Sequence, residues 1–276
     1  MRTLMAALLI CLISVADAVA APKVVSEGPV WLPPGRQFVL RSKAAGRDFL
    51  IQVSAPTAKP RRGRAPVIYV LDGNAMFRPV TTKARELGGK SMAAAYVVAI
   101  GYPLDPATKA PDGDRLRDLV HVQTTYRGAP IGGGGAAFEA FLLRELVPFV
   151  NARFPVDRKR AVLMGHSMGG LFATTVLAER PYAFAGYFIA SPSIPYDPSL
   201  IGRAKAASVR GEGRRVYISV GGDEGAPMVP AAESLAAALS APGSTFKVRQ
   251  TTFAGEGHMS VLAPMLEPGL GFLLPP

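Results

Sequence analysis

The chain has one cysteine, one tryptophan and three histidines in 276 residues. The cysteine, Cys11, lies inside an apolar N-terminal stretch, so a chain that loses this stretch holds no thiol. That excludes disulfides and thiolate chemistry from the folded protein, and its stability must come from its core. The apolar stretch runs only from Leu4 to Val15, too short for a membrane-spanning helix. Acidic residues are scarce beside basic ones, 20 against 31, which leaves a net charge of +11. Such a charge fits a nucleic acid, an anionic membrane face or an anionic small substrate. The basic residues are scattered along the sequence, however, and the densest run, KPRRGR, has no interleaved aromatics. Nucleic-acid binding is therefore the weakest reading, and a solvated surface accounts for most of these charges.

The opening MRTLMAALLICLISVADAVAAPK combines one arginine, the apolar stretch and a small-x-small site at Ala18-Val19-Ala20. It predicts a secretory signal peptide over residues 1–20 and an exported protein, periplasmic or secreted. Ile10 is not the small residue that lipid attachment at Cys11 would need, so no membrane anchor is expected. Loss of Arg2 and Asp17 together leaves the net charge unchanged.

Residues 21–276 read as one domain, without repeats, low-complexity tracts or an interdomain linker. RQFVLRS and RDFLIQVSA predict an antiparallel hairpin around KAAG. VIYVLDG and AAYVVAIG are continuous apolar runs typical of parallel strands buried on both faces, with a crossover helix predicted over Phe77 to Lys90. The unpatterned stretch from Tyr102 to Gly135 is long enough to border a functional site. AAFEAFLLRELVPFVNARFP has helical periodicity, with Pro148 expected to bend its end. Strands RAVLMG, YFIAS, RVYISVGG and TFKVRQTTF then alternate with helices, among them one from Val229 to Leu239 and a last one from Met259. This alternation specifies an α/β fold with a mostly parallel central sheet, helices on both faces and an antiparallel leading edge.

Within RAVLMGHSMGGLFATTVLAERP a strand ends on Gly165-His166-Ser167-Met168-Gly169 and a helix follows. Such a turn holds a serine in strained backbone, and its glycines let strand and helix approach each other. A serine hydroxyl is a poor nucleophile unless a base takes its proton and a third group orients the base. Of the three histidines, His258 stands after the last strand, where the base is expected; His166 reads as packing beside the serine and His121 as a rim residue. The acid is expected after the preceding strand, where Glu224 is favoured and Asp223 is the alternative. Glu256 reads as a solvated turn carboxylate. Donors for an oxyanion are expected from the N–H groups of Met168 and Asn74. The side chains of Asp72 and Asn74 are equally well placed to cap the following helix.

In order, YVLDGNAMF, VAIGYP, RLRDL, GGGGAAFEAFLLRELVPFV, MGHSMGGLF, ASPS and GEGHMS resemble the "Putative esterase" (esterase D-like) family of α/β-hydrolases over about residues 25–275. Within that family they resemble the siderophore trilactone esterases acting on enterobactin-type compounds. The resemblance implies an α/β-hydrolase fold and ester hydrolysis without metal or organic cofactor, through an acyl-enzyme on Ser167. It also implies that Arg115, Arg117 and Tyr196 contact a small, anionic ester. The sequence departs from the subgroup at Ile194-Pro195-Tyr196, where many members have tryptophan, and after Asp118, where threonine and proline are usual.

Overall fold

The computed structural model describes residues 22–30, 35–60, 63–108 and 115–276. Residues 1–20, expected to be a signal peptide, lie outside these residues. Strands β1 (Lys23–Val30), β2 (Gly35–Arg41) and β3 (Asp48–Ser54) form an antiparallel meander. The hairpin of β2 and β3 is the predicted one, whereas β1 pairs with β2 without having been anticipated. Residues 23–28 are mostly exposed and show little alternation, so the pairing is set by the neighbouring strand. The buried carboxylate of Glu145 pins the turn between β2 and β3 by accepting the N–H groups of Lys43 (3.2 Å) and Ala44 (2.8 Å).

Beyond the meander come β4 (Ala65–Val70), helix α1 (Gly73–Leu87) and β5 (Tyr96–Gly101). Helix α1 starts four residues before its expected start, because the carbonyl of Asp72 accepts the N–H groups of Ala75 and Met76. It ends three residues early, at Leu87, with Gly88 as its cap. The predicted loop from 102 to 135 contains a turn of helix α2 (Arg115–Asp118) and a short hairpin, β6 (Thr124–Tyr126) with β7 (Ala129–Ile131). Three-residue strands carry too little alternation to be read from sequence.

Helix α3 (Gly135–Ala140) continues through a π-helical turn, Phe141–Leu146, into α4 (Val147–Arg153). The widened turn sits just before Pro148, which lacks the N–H that a regular helix would use there. The rest of the chain is β8 (Val156–His166), α5 (Met168–Glu179), β9 (Gly186–Ala190), α6 (Leu200–Ala207), β10 (Arg215–Gly221), α7 (Met228–Leu239), β11 (Lys247–Phe253) and α8 (Leu266–Leu273). The helix expected from Met259 begins only at Leu266, after an isolated 3-10 turn at Ser260–Leu262, because Pro264 interrupts the run.

The sheet order is β1-β2-β3-β5-β4-β8-β9-β10-β11, parallel from β5 onward. Alternate residues of the buried strands serve opposite faces, as the two-residue period requires. In β4, Val67 and Tyr69 join the layer of α3 to α7, while Ile68 and Val70 pack under α1 and α8. Helix α5 is buried along nearly its whole length and correspondingly lacks a polar face. Among the described residues no helix is long and apolar enough to cross a membrane.

Candidate active site

The C-terminal ends of the parallel strands meet at Ser167. Its backbone has φ 59° and ψ −119°, a left-handed conformation that L-residues adopt only under constraint. The constraint is packing at the junction of β8 and α5. A Cβ on Gly165 would overlap the carbonyl oxygen of Gly169, and one on Gly170 would stand 2.8 Å from the carbonyl of Ala190. The serine is thereby pushed out at the tip of the turn into a cleft.

That cleft has two lobes, of about 460 Å³ and about 720 Å³, which share Arg115, Tyr126, Ser167 and His258. The smaller is closed by Asn74, Tyr102, His166 and Leu262, the larger by Met168, Ser193, Tyr196, Asp223 and Met228. Tyr126 and Tyr196 face each other with ring centroids 5.7 Å apart.

His258 Nδ1 donates to Glu224 Oε2 at 2.6 Å. The other carboxylate oxygen accepts from Ser191 Oγ at 2.5 Å and from the Gly221 N–H at 2.8 Å. Burial alone would raise this carboxyl, but the hydrogen bonds from Ser191, His258 and Gly221 outweigh it and hold Glu224 below the ordinary value of 4.5. Asp223 also lines the larger lobe, yet only its neighbour meets the imidazole. Glu256 contributes its backbone, whose carbonyl accepts the Asp223 N–H at 3.0 Å.

Ser167 Oγ lies 3.3 Å from Ser193 Oγ and makes no hydrogen bond to His258 in this conformation. Both groups nonetheless line both lobes. Met168 is the first residue of α5 and Asn74 the second of α1, so neither N–H has an intrahelical acceptor.

The side chains of Asp72 and Asn74 do not cap α1. Asn74 instead bonds both backbone groups of Tyr102, with Oδ1 accepting its N–H at 2.8 Å and Nδ2 donating to its carbonyl at 2.9 Å. The Asp72 carboxylate takes a bidentate pair from Arg115, at 2.6 and 2.8 Å. Arg115 therefore reaches the cleft already neutralised. Arg117 lines neither lobe and pairs with the buried Asp118, which also accepts from Tyr102 and Arg47.

His121 is not a rim residue. It stacks on Phe172 with ring centroids 5.3 Å apart and pairs with Glu139 behind the cleft. His166 is a wall of the smaller lobe: its Nε2 bonds the carbonyl of His258 at 2.8 Å and the two rings lie 4.6 Å apart. Ser191, Ser193 and Tyr126 were not singled out individually from sequence. The ASPS motif carried a signal for the serines; Tyr126 sits in a loop with none beyond its length.

Burial, helped by the neighbouring His258, pushes His166 down to about 4. An unfolded histidine titrates near 6.5, so between these values the unfolded chain binds the extra proton and stability falls as pH falls. The expected loss from this group is about 2 kcal/mol between pH 7 and pH 5. Urea unfolding at both pH values measures it, and His166→Gln is expected to remove that part of the difference.

A strained serine at a strand-to-helix turn, on an α/β-hydrolase sheet and in a cleft with a histidine-carboxylate pair, defines the class of the serine hydrolases. The chain belongs to the "Putative esterase" family, which it matches over residues 42–258, and it is a carboxylic-ester hydrolase. It is 40% identical over 174 residues to the siderophore triacetylfusarinine C esterase of Aspergillus fumigatus, a match covering 60% of this chain and 58% of that protein. It is 29% identical over 264 residues to the ferri-bacillibactin esterase BesA of Bacillus subtilis, covering 88% of this chain and 91% of BesA. The crystal structure of the BES protein from Bacillus cereus superposes with a TM-score of 0.80 at 29% identity, over 91% of this chain and 99% of that one.

Proposed function

We propose that this chain is an exported serine esterase that cleaves siderophore-type lactone esters through an acyl-enzyme. The observation that carries the reading is the chain of contacts from Ser191 and Gly221 to Glu224 and on to His258, beside a strained Ser167 in a two-lobed cleft. In this mechanism Ser167 Oγ turns from Ser193 to His258, loses its proton to His258 Nε2 and attacks the ester carbonyl. The N–H groups of Met168 and Asn74 stabilise the oxyanion. Collapse breaks the acyl–oxygen bond, and the imidazolium returns its proton to the departing alkoxide. Water, deprotonated by His258, then attacks the acyl-enzyme and releases the acid and free Ser167. Glu224 holds His258 with Nδ1 protonated throughout, and Nε2 stays open to the serine. Catalytic hydrogen bonds commonly tighten only once substrate is bound, which is compatible with the Ser167–Ser193 contact.

Two lobes flanking one nucleophile give room for bulk on both sides of the scissile bond, as a macrocyclic lactone requires. The names of the similar siderophore esterases support the same substrate class. Among the described residues the cleft does not offer a strongly positive wall. Arg115 is paired with Asp72, Arg117 is turned away, and Asp223 and Glu224 line the larger lobe. That charge arrangement favours a weakly charged ester, such as an iron-free siderophore, over a highly anionic ferric complex.

Hydrolysis of enterobactin with and without iron, beside a short p-nitrophenyl ester, tests both statements. The expected result is faster cleavage of the iron-free trilactone than of either the ferric form or the simple ester. Cleavage confined to the simple ester would reduce the reading to a general carboxylesterase.

A further inference from the structure

The two ends of the sheet differ in charge. The parallel strands β4, β5, β8, β9, β10 and β11 all finish at the cleft, so the segments leading into them gather at the opposite end. Exposed cations collect there: Lys59 and Arg64 before β4, Lys90 before β5, Arg158 and Lys159 at the start of β8, and Lys247 at the start of β11. Those around β4 and β8 come together although they are far apart in sequence. Ala65 pairs with Val156, Arg64 Nη1 donates to the Val156 carbonyl at 3.1 Å, and Lys59, Arg64 and Arg160 line one cavity of about 380 Å³.

The acids described at this end are fewer than the cations: Glu86 pairs with Lys83 at 2.8 Å, and Glu267 lines a cavity with Lys247 and Arg215. Glu179 pairs with Arg203 at 2.8 Å, Glu212 with Arg214 at 3.2 Å, and Asp157 accepts the Lys159 N–H at 3.0 Å. At the cleft end Asp72 and Asp118 are matched by Arg115, Arg117 and Arg47, and Asp223 and Glu224 line the larger lobe. These exposed cations lie away from the cleft, where they do not serve the substrate.

Two of the exposed large apolar residues lie at the same end of the sheet, in the segments that lead into β9 and β10. Tyr182 is 49% exposed with the Arg214 guanidinium 4.6 Å from its ring centroid, and Val209 is 61% exposed close to Gly243. Exposed cations at the same end as an exposed tyrosine and an apolar side chain match the chemistry of a lipid headgroup layer, where amphipathic rings sit at the interface and Lys and Arg face anionic phosphates. The cations are spread across the width of the sheet, without the series of stacking aromatics that a single-stranded nucleic acid would use.

We propose that this strand-entry end is a docking surface for an anionic phospholipid bilayer, gripping it through Lys59, Arg64, Lys90, Arg158, Lys159 and Lys247 with Tyr182 and Val209 at headgroup depth. The cleft then faces away from the membrane. This orientation leaves the cleft open to a dissolved substrate while holding the enzyme at a surface. The inference stands independently of which ester is cleaved.

The test is sedimentation with vesicles of phosphatidylcholine alone or with roughly a third phosphatidylglycerol, at about 0.02 M and about 0.3 M salt. The chain beginning at Ala21 is used, since it contains every element of the fold and lacks the apolar stretch from Leu4 to Val15, which would bind lipid by itself. Binding is expected only to the anionic vesicles and to weaken at the higher salt. It is expected to drop about tenfold or more in K59E/R64E/R158E/K159E, with ester hydrolysis unchanged as the check that the variant is folded. Should that variant misfold, the four Gln substitutions are expected to show the same direction of effect. Equal binding to both vesicle types, no binding, or full binding by the folded charge variants would overturn the proposal. So would preferential capture by duplex DNA added at equal charge, which would make the surface a nucleic-acid site.

Discussion

Replacing Ser167 with alanine is expected to lower kcat for ester hydrolysis by about 10⁴-fold or more, with KM little changed. The methyl group fits where the hydroxymethyl stood, since alanine suffers the same left-handed strain as serine at φ 59°. The cleft and the two proposed oxyanion donors persist, so ester is expected still to bind. What disappears is the route to an acyl-enzyme, because Ser193 makes no hydrogen bond to His258 and Ser191 is committed to Glu224. Steady-state kinetics on a p-nitrophenyl ester reads the effect directly. Activity retained within tenfold would mean that water or another residue attacks the ester.

The second large effect is expected at Glu224. Its Oε1 accepts two donors, Ser191 Oγ and the Gly221 N–H, so in Glu224→Gln the amide carbonyl must take that position. The amide NH₂ then faces His258 Nδ1, which has to accept where it formerly donated. Such a histidine carries its proton on Nε2 and has no lone pair for Ser167. A loss of about 10³ to 10⁴ in kcat is expected from the wrong tautomer alone. Asp223→Asn changes a carboxylate that does not meet the imidazole, and kcat is expected to stay close to that of the parent. Comparable losses in both variants would reject the assignment of Glu224 over its neighbour.

The depressed carboxyl of Glu224 adds a pH signature. Because its folded value lies below 4.5, its contribution to stability is full above that value and is lost as pH falls through the folded value. The His166 effect works over the higher window, from 6.5 down to about 4, so the two are separable in a pH series of unfolding curves.

Much of the fold was legible because long buried strands and a fully buried helix leave strong patterns. VIYVLDG and RAVLMG have no solvent face, and residues 168–178 lack a polar stripe for the same reason. The glycines around Ser167 were legible because the backbone contacts leave no room for a Cβ. The choice of Glu224 over Asp223 was open in sequence, as adjacent carboxylates at a strand end differ only in direction.

What escaped was decided by contacts distant in sequence. Asp72 looks like a helix cap, yet Arg115, 43 residues away, draws its carboxylate aside. Arg117 looks like a substrate ligand beside Arg115, but Asp118 holds it out of the cleft. Strand β1 depends on its pairing with β2, and the β6–β7 hairpin is three residues a side. The basic residues seemed scattered because their convergence is a property of the parallel sheet, which brings every strand entry to one end.

The measurement that tests the central claim most directly is intact-protein and peptide mass after reaction with a fluorophosphonate, which phosphonylates an activated serine. One adduct per chain is expected, on the peptide containing Ser167, formed slowly or not at all in His258→Ala and absent in Ser167→Ala. An adduct on another residue, or equal labelling of Ser167 without His258, would contradict the account of Ser167 as a nucleophile activated by His258 and Glu224.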